Sequence, residues 1–112
     1  MTDMDNDELA HCLEKLGHPT RLRIYRLLVR AGHAGLPVGA IQSHMGVPGS
    51  TLSHHLSNLV AAGLIRQLRD GRVLHCIADY ARMDSVIAAM TDNCCVGVDG
   101  PVPEDSPQPQ QP

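Results

Sequence analysis

Phenylalanine and tryptophan are absent from this 112-residue chain, and tyrosine occurs only twice. Any core must therefore be filled by Leu, Ile, Val and Met, and the length suffices for one domain with one modest core. No apolar run approaches the length of a membrane helix, which argues against a spanning segment and against a membrane partner. The acidic N-terminus carries no apolar signal segment, so the expected location is cytoplasmic, where thiols stay reduced. The four cysteines then read as ligands, sensors or core residues rather than as a disulfide framework. No internal repeat, phosphate-binding loop or Ser/Cys–His–Asp pattern is discernible, and so short a chain has little room for a substrate pocket. An enzyme is not expected, nor an organic cofactor.

Acidic residues are nearly missing from the middle of the chain. The formal net charge is −3, yet all nine basic residues lie between Lys15 and Arg82. Across residues 11–82 only Glu14, Asp70 and Asp79 oppose them, leaving six positive charges in excess. The remaining acids occupy the flanks, from Asp3 to Glu8 and from Asp84 to Asp105. A basic middle between acidic ends is compatible with nucleic-acid binding. Arg23, Arg26 and Arg30 also fit a plainer reading, as solvated arginines on a helix surface.

Residues 37–77 carry the most specific pattern. Val38, Ile41 and Met45 sit at helical spacing, and Gly46-Val47-Pro48-Gly49 then breaks the chain. A second amphipathic helix follows, with Leu52, Leu56, Leu59 and Val60 on its apolar stripe. Its opposite face offers Ser50, Thr51, Ser53, His54, Ser57 and Asn58, short hydrogen-bonding groups without a carboxylate, which suits a negatively charged groove. Gly49 and Ser50 at its N-terminus would favour a phosphate. Leu64–Leu68 and Arg72–Ile77 flank Asp70-Gly71, a hairpin-turn signal that puts Arg69 and Arg72 at the tip. Helix, turn, helix, hairpin is the order of a winged helix-turn-helix.

The rest of the chain completes a mainly α fold of about five helices plus a two-stranded hairpin wing. Residues 1–6 are expected to be flexible and 7–95 to form the folded domain. Residues 96–112, rich in Pro and Gln, are expected to be a disordered tail. Helix 1 is expected from Asp7 to Leu16, with Leu9, Cys12, Leu13 and Leu16 on its stripe. Pro19 begins helix 2, which runs to Ala31. Helices 3 and 4 are expected over Val38–Met45 and Pro48–Ala62, with Gly63 closing the latter. Asp79 caps helix 5, whose stripe is Met83, Val86, Ile87 and Met90.

Together, the stretch His18-Pro19-Thr20-Arg21-Leu22-Arg23-Ile24, the helix start Ser50-Thr51-Leu52-Ser53-His54-His55-Leu56, the segment Ala62-Gly63-Leu64-Ile65 and the tip Asp70-Gly71-Arg72 resemble the arsenical-repressor (ArsR/SmtB) family. The likeness spans roughly residues 8–92. It implies a homodimeric repressor that joins through helices 1 and 5, lays helix 4 in the major groove of double-stranded operator DNA and is released by a metal or metalloid. Two common ligand sets of the family are missing. Leu36-Pro37-Val38-Gly39-Ala40-Ile41, at the start of helix 3, holds no cysteine, and helix 5 holds no His or Glu.

The cysteines supply another set. Cys94 and Cys95 are adjacent beyond Met90, with Cys94 continuing the stripe of helix 5, and Cys12 lies on the stripe of helix 1. If those stripes meet in the dimer, as the resemblance implies, Cys12 is the expected third donor, from the same or the other subunit. Three thiolates without carboxylate or imidazole suit trivalent arsenic, As(III), or antimony, Sb(III), as inducer. Neighbouring cysteines bring two donors together at little cost in chain entropy. A buried Cys12 acting only as a small hydrophobe is an equal reading, and for Cys76 among Leu74 and Ile77 the core reading is favoured. Oxidation of the Cys94–Cys95 pair is a second use, ranked lower because a bridge between adjacent residues is strained. His55 is expected to turn toward the wing or core edge, while His54 faces DNA.

Overall fold

The computed structural model describes residues 4–98. Residues 1–3 of the N-terminal segment and 99–112 of the Pro/Gln-rich tail lie outside the described residues. Five helices and three strands follow in the order α1 (Asn6–Leu16), α2 (Pro19–Ala31), β1 (Leu36–Pro37), α3 (Val38–Met45), α4 (Gly49–Ala61), β2 (Ile65–Asp70), β3 (Val73–Ala78) and α5 (Tyr80–Thr91).

The helix starts are set by side chains that satisfy otherwise orphaned amides. Asp5 accepts from the Glu8 amide at 2.8 Å and Asp79 from the Arg82 amide at 3.0 Å. His18 caps α2 through Nδ1, accepting from the Thr20 amide at 3.2 Å, and Pro19 follows it as the first helical residue. Helix α1 thus begins one residue earlier than expected, because Asp5 rather than Asn6 is the cap.

The wing is the β2–β3 hairpin, paired from Ile65↔Ala78 to Asp70↔Val73. Gly71 takes a φ of 63° in the two-residue connection, at the position where a type II′ turn takes glycine. The sheet has one strand more than the expected two: Leu36 and Pro37 pair with Cys76 and His75 on the other edge of β3. An edge strand tolerates Pro37, whose missing N–H costs no ladder bond there. Gly35 delivers the chain to that edge with a φ of 67°, and any Cβ at this position would strike the Cys76 carbonyl.

The core is aliphatic, as the composition requires. Ile24 and Leu28 of α2, Ile41 of α3, Leu52, Leu56 and Leu59 of α4, and Leu64, Ile65 and Ala78 around the sheet are all buried together. Helix α5 is tied down mainly at its start. The Tyr80 hydroxyl donates to the Val29 carbonyl at 2.9 Å, and Arg82 Nε donates to the Ala62 carbonyl at 3.1 Å. Arg82 also meets Glu8 of α1 at 3.3 Å.

Candidate nucleic-acid interface and thiol pair

Helix α4 is anchored by its apolar stripe and presents the other side outward. Leu52, Leu56 and Leu59 are buried, while Gly49, Ser50, Thr51, Ser53, His54 and Ser57 are exposed. Asn58 is half-buried, and its amide donates to the His54 carbonyl one turn back at 2.9 Å. One of its donors is therefore engaged within the helix. Pro48 precedes α4 without a side-chain acceptor, so no cap competes for the amides of the first turn. Free amides at a helix start are suited to a phosphate oxygen.

Arg69 and Arg72 are exposed at the wing tip, and neither has a carboxylate partner among the described residues. Arg66, further down β2, meets Asp79 at 3.9 Å. The exposed α4 face thus gathers hydrogen-bonding groups without an acid, and at the wing tip two cations, Arg69 and Arg72, outnumber the one exposed acid, Asp70.

One part of this surface escaped the sequence reading. His55 turns inward, as expected, and its Nδ1 accepts from Arg21 Nε at 3.3 Å. Arg21 is itself buried and also donates to the Lys15 carbonyl at 3.3 Å. The His18 ring packs against His55 with centroids 4.7 Å apart. Burial first, then the Arg21 charge, hold the His55 imidazole below its usual pKa, so it stays neutral and keeps accepting. The α2 spacing held the signal: Arg21 precedes Ile24, Tyr25 and Leu28 by three, four and seven positions, the period of the buried stripe.

Cys94 and Cys95 lie beyond the end of α5 and are exposed, their two sulfurs in bonding contact with each other. Cys94 does not continue the helical stripe as expected. The helix stops at Thr91, and Asn93 and Cys95 adopt φ values of 57° and 70°. Cys12 also departs from its expected place as a third donor. It is fully enclosed in the core of its own subunit, and its thiol donates to the Ala62 carbonyl at 3.5 Å. Facing α4 rather than solvent, it packs as a small hydrophobe. No group of three His, Cys, Asp or Glu residues able to hold a metal ion forms among the described residues. The donor set that fits a thiol-seeking ligand is thus two accessible sulfurs. Cys76 is buried, as expected, with its thiol pKa raised by burial despite a Gln67 amide donating to the sulfur at 3.6 Å.

Shortly before this pair in the sequence, the outer side of α5 exposes two large apolar side chains, with Asp84 one turn earlier. Ile87 and Met90 are 56% and 58% exposed, and Leu13 of α1 is 40% exposed. No helix among the described residues is long and apolar enough to cross a membrane.

Comparison with known proteins places this geometry. A family model described as a helix-turn-helix domain matches residues 16–67. The nodulation protein NolR of Rhizobium meliloti is 31% identical over 88 residues, 79% of this chain and 70% of that protein. Among solved structures, an ArsR-like transcriptional regulator from Rhodococcus sp. RHA1 matches with a TM-score of 0.67 at 25% identity, covering 75% of this chain and 76% of that one. A protein described as a possible transcriptional regulator for arsenical resistance is 30% identical with a TM-score of 0.60, covering 70% of this chain and 78% of that one. Both of these solved structures are described as transcriptional regulators.

Proposed function

The chain belongs to the ArsR/SmtB family of winged helix-turn-helix transcriptional regulators, and we propose that it is a metalloid-responsive repressor. In this reading it binds operator DNA as a homodimer and lets go when trivalent arsenic or antimony binds the reduced thiols of Cys94 and Cys95, each thiol giving up its proton as its sulfur displaces a hydroxyl from the metalloid as water. The observation that carries the reading is the pair itself: two adjacent, exposed sulfurs just beyond the end of a helix that leaves Ile87 and Met90 more than half exposed.

The dimer uses α1 and α5, whose exposed Leu13, Ile87 and Met90 gain by being covered. Two-fold symmetry then sets two copies of α4 in successive major grooves of a roughly palindromic site. Ser50, Thr51, Ser53, His54, Ser57 and Asn58 supply contacts to base edges and backbone. Gly49 at the helix start, with Arg69 and Arg72 on the wing, holds phosphates. A bound metalloid supplies soft acceptor orbitals that fix both sulfurs in one geometry. Fixing them restrains the segment that follows α5, at the edge of the dimer face. The coupling between ligand and operator is expected at about 1–3 kcal/mol, and operator DNA must weaken ligand binding by the same factor.

Because Cys12 is enclosed, a two-sulfur site is favoured over a three-sulfur one, and with it a trivalent arsenical that already carries one organic substituent. The test is a titration of the protein–DNA complex, on a duplex selected by the protein, with arsenite, methylarsenite, antimonite, zinc and cadmium side by side. Methylarsenite should release wild type, and Cys94→Ser with Cys95→Ser should bind DNA unchanged but ignore it. If the double variant is still released, the ligand binds elsewhere. The same adjacent, exposed cysteines also suit one second reading, a redox- or sulfur-responsive repressor. Release by peroxide without any metalloid would select it.

A further inference from the structure

Apart from Arg21, which is bound to His55, and the wing-tip Arg69 and Arg72, the basic residues of this chain fall into two groups. Lys15, Arg66 and Arg82 each face a carboxylate, Glu14, Asp79 and Glu8 respectively. Arg23, Arg26 and Arg30 of α2 do not: none has an ion-pair partner among the described residues, and all three are exposed. They stand at positions i, i+3 and i+7, which puts them on one face of the helix. That face is not a plain convex surface. Together with Leu27 of α2 and His44 and Met45 of α3 the three arginines line one open cleft between the two helices. No acid lines it. Three like charges held together repel one another, at a cost that a polyanion would offset.

The position of the cleft narrows the choice of polyanion. Its α3 wall is the first helix of the helix-turn-helix, and His44 lies just before the Gly46–Pro48 turn that leads into α4. Helix α2 packs against both α3 and α4, so cleft and reading face belong to one rigid body. We infer that the Arg23–Arg26–Arg30 cleft is a second phosphate-binding surface, which seats the backbone of the DNA that flanks the contacted site. This rests on the DNA-binding reading above and extends it. The arginines add affinity and salt dependence without reading sequence, and they lengthen the stretch of duplex the dimer occupies.

The experiment measures salt dependence on two random-sequence duplexes, one of about 20 base pairs, enough for two helices in successive grooves, and one of about 40. Each neutralised phosphate contributes about 0.9 to the slope of log affinity against log salt. On the long duplex, Arg23→Gln, Arg26→Gln and Arg30→Gln together should flatten the slope by about 2–3 per subunit engaged, while Arg→Lys at the same three sites keeps it. On the short duplex wild type and variant should agree. Equal slopes on the long duplex, or tighter binding by the glutamine variant, overturn the proposal. Equal losses on both lengths also overturn it, since the arginines would then act within the reading face. If wild type binds neither duplex, the DNA-binding reading itself fails, a result that cannot be mistaken for the others.

Discussion

Helices α4 and α5 are nearly equal in length, 13 and 12 residues, but are held in opposite ways. Helix α4 buries Leu52, His55, Leu56 and Leu59 within its own chain, whereas α5 buries only Val86 and leaves Ile87 and Met90 more than half exposed. At about 1.5–3 kcal/mol for each fully buried aliphatic side chain, the leucines of α4 outweigh the single valine of α5 severalfold. On the proposed function, the element that reads DNA is thus the better anchored within its own chain, and the one that leads to the thiol pair is the less anchored. A regulator needs that asymmetry. Reading requires a surface of fixed shape, and release requires an element drawn from the low-stability end of the structure.

The comparison breaks most sharply at Leu59. It is fully buried, so Leu59→Ala leaves a cavity that its neighbours fill only in part. Denaturant unfolding should show a loss of about 2–5 kcal/mol. A loss below 1 kcal/mol would mean that α4 is not anchored as described. The same operation on α5 should behave differently. Ile87→Glu with Met90→Glu alters exposed positions, so the far-ultraviolet spectrum should be retained. Two like charges opposite their symmetry mates should weaken self-association at least tenfold, or about 1.4 kcal/mol. Sedimentation velocity over a concentration series reads this directly, and unchanged association would place the dimer contact on another face.

How much of this asymmetry was legible in the sequence depends on what kind of fact each part is. The three leucines of the α4 stripe, the place of the wing turn and the outward set from Ser50 to Ser57 follow from periodicity and turn chemistry, which are local, whereas Val60, expected on the same stripe, is exposed at the end of the helix. Strand β1 was not legible, because two residues carry no period and Leu36–Pro37 becomes a strand only by lying beside β3. Cys12 shows a second limit. Its own place on the covered face was identified correctly, although Leu13 of the same expected stripe is exposed; periodicity says which face is covered and not by what, and the cover includes Ala62, just past α4 of the same chain. Arg21 shows a third. Its place in the buried period was visible, yet an arginine is read as exposed until a neutral acceptor such as His55 is found beside it. Cys94 fell outside the stripe because α5 stops at Thr91, and residues that leave a helix no longer share its faces.

The Arg21–His55 pair also sharpens the contrast between the two helices, because it makes the anchoring of α4 partly polar and hence sensitive to pH. Burial and the neighbouring guanidinium keep the His55 pKa below its usual value. As pH falls through about 6.5, the unfolded chain takes up a proton that the folded chain refuses. The stability this site contributes is present above that range and is lost as pH falls toward the folded pKa. The effect should be smaller than either of those above, a slope rather than a collapse. His55→Gln keeps an acceptor for Arg21 Nε but cannot titrate, so its stability should fall less than wild type's between about pH 7 and pH 5. Parallel profiles would mean that other groups carry the acid response and that α4 is held by its leucines alone. A flatter profile in the variant, with α5 substitutions leaving the slope untouched, would locate the acid-sensitive contact under the reading helix.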